Sequence, residues 1–508
     1  MAVLTIIRDG KSQEFNFTPP LLLDAALEQA GFSIPRPCGG RGVCGKCAVT
    51  REGAVSDPNE AERKAGTRLS CQAILLGDAR VTLADTRKTE QIAVSGIDTP
   101  IDLSPMEGRL GAAVDIGTTT LALKLYDLRM GTVLGEAAML NPQTSVAADV
   151  MGRISAAMAG QLEKMRQQIV DAIGQLLHTA CETAGQPESA VDKLVLTGNT
   201  TMLYLLTGRD PESLSPAPFQ ADTLFGNWTT DLGKDTYLPS CMNAFVGADI
   251  TCAVLASGMT ETAATSLLCD IGTNGEIALW KDGRLYVTST AAGPAFEGAG
   301  ISCGCGSISG AIDRVWVKDG AIQAHTIGET PAVGICGSGL IDAIAAFLAI
   351  EEIDETGAME SDELPLRDGI ALEPRDVRAV QLAKAAIAAG IETLMESAGT
   401  SCDQITTLYI AGGFGSHLNV ASAAAIGLIP QELVSKVKVI GNASLSGSVR
   451  LLLNRPSLSA AEAIAQNSSH VNLGGNPRFI EPYMEQMFFP EVLLSLKRYH
   501  HDPPRTIH

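Results

Sequence analysis

The sequence predicts an α/β chain in two parts. A small sheet folds round one helix, and a much larger body follows, with two similar lobes of sheet and helix facing a shared cleft. Three observations predict this. Four of the twelve cysteines crowd into residues 38–71 of the 508, while the other eight are scattered from Cys181 to Cys402. A short Asp-Ile-Gly-Thr motif occurs twice, 155 positions apart. Around these, short apolar or alternating runs bounded by glycine give way to apolar residues at helical spacing, the pattern of strands mixed with helices.

The bulk properties bound what the chain does. Hydrophobic residues make up 45% and charged residues 19%, ordinary for a globular protein, and the length allows about two to four domains with cores of their own. The net charge of −20 excludes the basic footprint of nucleic-acid or anionic-membrane binding. Residues 1–85 hold ten Lys/Arg and ten Asp/Glu, so the acidity belongs to the remainder. No apolar run reaches the roughly 18 residues of a membrane span. The start, "MAVLTIIRDGK", has no basic segment ahead of a long apolar one, so the expectation is a leaderless, cytoplasmic protein. Cysteines in such a chain serve as thiols or metal ligands rather than disulfides.

In the first part (residues 1–85), "AVLTIIRDG" and "QEFNFT" read as strands joined by a polar turn. "LLLDAALEQAG" reads as a helix stopped at Gly31, and "CAVTREGAV" and "ARVTLAD" as further strands. This is the layout of the β-grasp ferredoxins. The cysteines Cys38, Cys44, Cys47 and Cys71 are spaced C-x5-C-x2-C-x23-C, one residue longer in the first gap than the plant-type [2Fe–2S] pattern. Glycines 39, 40, 42 and 45 let the backbone close round a cluster and aim N–H groups at its sulfurs. Four thiolates and an oxidised core sum to about −2, which Arg36, Arg41 and Lys46 would partly offset. A zinc site would bring its ligands as two close pairs, unlike a lone fourth cysteine in this setting. "GRGVCGKC" nearly spells a P-loop, but it ends in Cys47 and lacks a strand–helix unit. Residues 86–108, with Pro100, Pro105 and no sustained periodicity, read as a flexible linker.

In the second part (residues 109–508), "VDIGTTTLALKLYD" and "CDIGTNGEIALWKD" align from Asp115 and Asp270 as D-I-G-T-[TN], and each continues into [LI]-A-L, one residue later in the second copy. Each reads as a strand, a Gly-Thr turn and a second strand, one hairpin per lobe, with lobe I near 109–262 and lobe II near 263–508. Gly117 and Gly272 remove the side chain where a phosphate approaches the backbone. The N–H groups and hydroxyls of Thr118, Thr119, Thr273 and Asn274's neighbourhood would donate to phosphate oxygens. Asp115 and Asp270 would face Mg²⁺, through its waters. "TTLYIAGGFGSHLN" is a buried-looking strand running into Gly412, Gly413 and Gly415, a turn against which a nucleoside can lie. "GICGSGLIDAIAAFL" repeats the theme, with Ser338 near a helix start.

Phosphate 1, phosphate 2 and adenosine motifs in this order resemble the acetate kinase, sugar kinase, Hsp70 and actin superfamily over residues 109 to about 450. That resemblance implies two actin-like lobes closing on Mg·ATP. A [2Fe–2S] domain ahead of such an ATPase is similar to the reductive activators of corrinoid proteins over nearly the whole chain. "NPQTSVAADVMGRI", "LTGNTTMLYLL", "FVGADI", "GPAFEGAGISCG" and "YIAGGFGSHL" fit that family too. Larger members insert a small domain where this chain has only a linker. Others carry clusters at a cysteine-rich C-terminus, for which nothing after Cys402 supplies ligands. The resemblance implies ATP-dependent reduction of a methyltransferase corrinoid protein from Co(II) to Co(I). It also implies a low-potential donor of ferredoxin or flavodoxin type, and a homodimer.

No residue declares itself a phosphoryl acceptor, which favours hydrolysis. Glu276, after the second turn, and Glu297, in "GPAFEG", are the two candidates to position the attacking water. Cys303, Cys305, Cys269 and Cys336 read as small packing residues, and His417 as a cap. Two other readings remain open: an activator of a 2-hydroxyacyl-CoA dehydratase, or a non-catalytic [2Fe–2S] carrier with a nucleotide-sensing module.

Overall fold

The structure, a computed structural model, describes residues 1–8, 11–32, 34, 47–65, 68–83, 94, 96, 101–412 and 418–490. The chain divides into two compact units. One comprises Met1–Thr89, Leu140–Ala172 and Tyr204–Ser215; the other comprises Glu90–Met139, Ile173–Leu203 and Pro216–His508. The first unit therefore takes in segments beyond the first 85 residues. Among the described residues no helix is long and apolar enough to cross a membrane.

The N-terminal sheet is built from β1 (Ala2–Arg8), β2 (Lys11–Phe17), β3 (Leu21–Leu22), β4 (Ala48–Val55), β5 (Arg68–Leu69) and β6 (Ile74–Thr82), with helices α1 (Leu23–Gln29) and α2 (Glu60–Ala65). Its order is β2-β1-β6-β4-β5, with β3 joining β6. Leu4 and Ile6 alternate inward along β1 and meet Leu23, Ala26 and Leu27 of α1 in one core, the period-two packing of a half-buried strand. The expected helix starts late, at Leu23, because Leu21 and Leu22 pair with Leu75 and Ile74. It stops where Gly31 takes a φ of +87°, a left-handed stop that favours glycine. α2 was not expected, since a six-residue polar turn carries no apolar period.

Two six-stranded sheets follow. The first holds β7 (Leu110–Ile116), β8 (Thr120–Asp127), β9 (Thr132–Leu140), β10 (Val191–Gly198), β11 (Asn227–Thr229) and β12 (Asp235–Leu238), in the order β11-β12-β10-β7-β8-β9. Helices α3 (Val150–Ala156), α4 (Leu162–Thr183), α5 (Thr200–Thr207) and α6 (Ala248–Ser257) are threaded between and after these strands. The second sheet runs β22 (Val437–Gly441), β21 (Thr407–Ala411), β13 (Ser266–Ile271), β14 (Gly275–Lys281), β15 (Arg284–Thr290), β23 (Ser468–His470). A three-stranded sheet of β16 (Ala311–Lys318), β17 (Ala321–Thr326) and β18 (Gly334–Ile335) leads into α7 (Gly337–Ala349), and a hairpin of β19 (Leu364–Arg367) and β20 (Ile370–Leu372) into α8 (Pro374–Ser397). The chain continues through β21 (Thr407–Ala411), α9 (Val420–Ala425), β22 (Val437–Gly441), α10 (Ala443–Leu453), α11 (Pro456–Gln466), β23 (Ser468–His470) and α12 (Pro477–Glu485).

The sequence repeat is a repeat of topology. β7 and β13 each pair antiparallel with the next strand and parallel with a later one, β10 or β21. Those in turn lie parallel to β12 and β22. β7 and β13 are buried almost throughout, so they read as continuous apolar runs rather than alternating ones. α6 follows β12 and α10 follows β22, and the two helices touch backbone to backbone. A Cβ on Gly447 of α10 would collide with the Cys252 carbonyl of α6.

Two features bear on the expected division of the chain. The boundary near residue 262 separates the sheets, but chain order does not separate the lobes. α10 returns to pack along α6, β7 and β10, and residues of both sheets share a core with α6, α10 and α11. The supposed linker is also shorter than 86–108. Residues 84–93, 95 and 97–100 lie outside the described residues, but 101–108 are pinned to the second unit. Ser104 N donates to Leu453 O and Met106 N to Leu452 O, each at 3.0 Å, Asn454 Nδ2 donates to Asp102 O at 2.7 Å, and Met106 is buried. The reason is elementary: the last carbonyls of α10 lack intrahelical partners, and this segment supplies the N–H groups.

Candidate functional site

The two Asp-Ile-Gly-Thr turns come together. In the first, Gly117 N donates to Thr120 O at 2.9 Å, and in the second Gly272 N donates to Asn274 O at 3.0 Å. Thr119 Oγ1 and Thr273 Oγ1 both donate to Glu297 Oε2, at 2.7 and 2.8 Å, and stand 3.4 Å from each other. Residues 154 positions apart thus meet on one carboxylate. Glu297 ends the turn Pro294–Glu297, against which the start of α7 packs so closely that Gly337 has no room for a side chain beside the Phe296 carbonyl. Thr118 Oγ1 accepts from Asn199 Nδ2 at 3.0 Å.

Beside these turns lie four acids: Glu276 is buried, and Asp115, Asp249 and Asp270 are half-buried. Asp115 is held by Ser444 Oγ at 2.9 Å and Asn442 Nδ2 at 3.1 Å, both at the start of α10. Burial pushes Asp115 up to about 6 against those hydrogen bonds. Burial, with the Asp115 charge second, pushes Asp249 up to about 7. Burial, then the charges of Asp249, Asp115 and Glu297, raises Asp270 to about 8. Glu276, opposite Asp270 in the β13–β14 register, is held well above the usual carboxylate range by burial first and Asp249 and Asp270 next. No cationic side chain figures among the influences on these four groups. Buried carboxylates in such a setting are relieved by a cation. Among the described residues no three acidic, histidine or cysteine side chains are gathered closely enough to form a metal cage. Carboxylate oxygens of this kind suit a hard divalent cation.

Glycines set the close approaches round this well. A Cβ on Gly198 would stand 2.7 Å from Ile116 O, and one on Gly412 would stand 2.6 Å from Ile271 O and 2.9 Å from Asp270 Oδ1. Gly198 and Gly412 are thus equivalent positions, each touching the isoleucine of one repeat. Gly412 has a φ of +106°, which favours glycine. Gly413, Gly415 and His417 lie outside the described residues. Ser338 is buried in the first turn of α7 with its hydroxyl donated to Asp313 O at 3.0 Å, so it is committed to the backbone beneath it.

Sequence reasoning missed Asn199, Asp249, Asn442 and Ser444. Each follows a glycine at the end of a strand or the start of a helix, in "LTGN", "FVGAD" and "VIGNAS", much the signal that marked "YIAGG".

In the first unit, Cys47 and Cys71 are buried with their sulfurs 3.2 Å apart. The β4–β5 pairing of Ala48 with Leu69 and the bond from Ser70 N to Cys47 O at 2.9 Å bring them together. Two buried sulfurs at this separation fit two ligands on one metal of a cluster. Cys38 and Cys44, with Arg36, Arg41 and Lys46, lie outside the described residues. Elsewhere burial pushes the Cys241 thiol up to about 12 and raises those of Cys252 and Cys269, so these three are neutral packing groups. Cys303 and Cys305 are woven into the backbone at β18, where Cys305 N donates to Ile335 O and Ile335 N to Cys303 O.

A duplicated two-lobed fold with paired phosphate-type turns, preceded by a small sheet offering clustered thiols, defines an actin-like ATPase joined to a ferredoxin-type domain. Residues 6–76 match the 2Fe-2S iron-sulfur cluster binding domain, 110–262 the RACo middle region, and 264–500 the C-terminal domain of RACo, the ASKHA domain. The chain is 34% identical over 423 residues to the corrinoid activation enzyme RamQ of Eubacterium limosum, covering 76% of this chain and 71% of that one. It is 25% identical to a [Co(II) methylated amine-specific corrinoid protein] reductase of Methanosarcina barkeri, over 77% of this chain and 78% of the relative. The solved reductive activator for corrinoid, iron-sulfur protein superposes with a TM-score of 0.71 at 26% identity, covering 97% and 99% of the two chains. This chain belongs to the RACo family of corrinoid activators.

Proposed function

We propose that this protein uses ATP to reduce the cobalt of a methyltransferase corrinoid protein from Co(II) to Co(I). The observation that carries the reading is the union, in one chain, of a buried thiol pair within a [2Fe–2S]-type domain and a duplicated cleft whose two threonine turns meet on Glu297. The names of the relatives give the substrate class. One electron would pass from a low-potential donor of ferredoxin or flavodoxin type, through a centre held by Cys38, Cys44, Cys47 and Cys71, to cobalt. Clusters of this type sit near roughly −400 mV, and each further 59 mV or so against a one-electron transfer is about tenfold in equilibrium. ATP hydrolysis would make an unfavourable transfer one-way.

In this reading Asp115, Asp249 and Asp270 hold the waters of Mg²⁺. Thr118, Thr119, Thr273 and Asn274 take the phosphate oxygens, with Gly117 and Gly272 giving them access. Gly412, Gly413, Gly415 and Ser338 would form the nucleoside side. Glu297 is the better placed of the two candidates to orient the attacking water, because it already meets both turns, whereas Glu276 lies against Ser289 and Asp270. Residues 1–85 carry the electron and residues from 109 carry the ATPase, in a cytoplasmic homodimer.

The test is anaerobic. The protein, a reductant, ATP and a Co(II) corrinoid protein are mixed and the visible Co(I) band is followed. Co(I) should form only with ATP present. Equal formation without ATP would replace this reading with that of a simple electron carrier.

A further inference from the structure

The Cys71 sulfur ends a line of side chains that begins at a buried carboxylate. Glu62 of α2 is only 2% exposed. Its Oε1 accepts from Arg68 Nε at 2.8 Å and Leu69 N at 3.1 Å, which fixes the strand that delivers Cys71. Its Oε2 accepts from Asn59 N at 3.0 Å, while Glu62 N donates back to Asn59 Oδ1 at 3.0 Å, a reciprocal cap on the first turn of α2. Asn59 Nδ2 donates to Gln72 Oε1 at 2.9 Å, and Gln72 Nε2 lies 3.7 Å from Cys71 Sγ.

Amide orientation is ordinarily ambiguous, because oxygen and nitrogen can exchange places. Here a backbone group decides it. The Glu62 N–H can only donate, so Asn59 must offer it Oδ1 and turn Nδ2 outward. Gln72 must then meet Nδ2 with its oxygen, which leaves its own N–H₂ facing the sulfur.

We infer that Asn59 and Gln72 are positioning residues that raise the reduction potential of the centre held by Cys47 and Cys71, by keeping an N–H donor on the Cys71 sulfur. The inference rests on the [2Fe–2S] reading above. Reduction adds one electron and one negative charge to the centre, with no bond made or broken. A donor aimed at a ligand sulfur is favoured more as that sulfur gains charge, so it stabilises the reduced form. Arg68 offsets the Glu62 charge, so the carboxylate anchors the line without opposing the electron.

The experiment is a redox titration of the full-length, cluster-loaded protein, followed by visible absorption. Gln72→Leu should shift the equilibrium about tenfold toward the oxidised form, a potential lower by about 59 mV for one electron, with ATP hydrolysis unchanged. Asn59→Ala, which leaves the sulfur's neighbours in place, should shift it the same way by less. An unchanged potential in Gln72→Leu that still carries two irons overturns the inference and leaves the function reading standing. If Gln72→Leu does not hold its irons, the potential of Asn59→Ala decides by the same criterion. Wild-type protein without iron overturns both.

Discussion

Glu297 accepts two hydroxyl donors that a phosphate group would also engage. When nucleotide enters, Thr119 and Thr273 can turn to phosphate oxygens and leave the carboxylate free to hold a water. Glu297→Gln should therefore keep ATP binding, while kcat for hydrolysis falls on the order of 10²–10³-fold, the usual loss for an oriented group at the reacting atoms. Glu276→Gln should change hydrolysis much less. The reverse ranking in single-turnover assays would exchange the two roles. Asp270→Ala should abolish turnover at a similar scale in folded protein. At this scale the sequence was only half legible. Asp115, Thr118, Asp270 and Thr273 announce themselves by repetition. Asn199, Asp249, Asn442 and Ser444 do not, because they enter from the end of β10, the start of α6 and the end of β22, and only the fold places those points side by side.

Among the elements, the repeated strands were readable because a buried central strand must be apolar and its turn must be glycine. The returning helix was not. Nothing local to "ASLSGSVRLLL" says that it packs on β7 and β10 rather than on its own sheet. Gly447 makes a testable contact there. Gly447→Ala should place a methyl against the Cys252 carbonyl and destabilise the fold by about 1–3 kcal/mol, seen as a lower midpoint in urea. A midpoint equal to wild type would mean the helices separate without penalty. The segment 101–108 was misread for a related reason: its duty is to satisfy another element's carbonyls, which leaves no periodicity of its own.

For the whole molecule, the acid well links proton binding to stability. Asp115, Asp249 and Asp270 titrate near 6, 7 and 8 when folded, against about 3.9 in an unfolded chain. Between roughly pH 4 and 8 the folded state therefore binds more protons than the unfolded one. The contribution of these groups is complete below that window and is lost as pH rises through it. Nucleotide-free protein should melt at a lower temperature at pH 8 than at pH 5.5, and Asp249→Asn should flatten that slope. The two units should also fail independently. Cys71→Ala should lose iron yet hydrolyse ATP, whereas Asp115→Ala should keep a reducible centre and yield no Co(I). Iron analysis beside phosphate release checks both.

The contact at Gly447 has a mechanical consequence. α6 and α10 each begin at the acid well, with Asp249 on one and Ser444 on the other, and they meet where Gly447 lies against the Cys252 backbone. Two rods that share a tip and a close crossing behave as the blades of a pair of scissors. Eleven helical residues span about 16 Å, so a turn of about 10° at the tip carries the far end by roughly 3 Å. That is enough to change which surface a docked partner would meet.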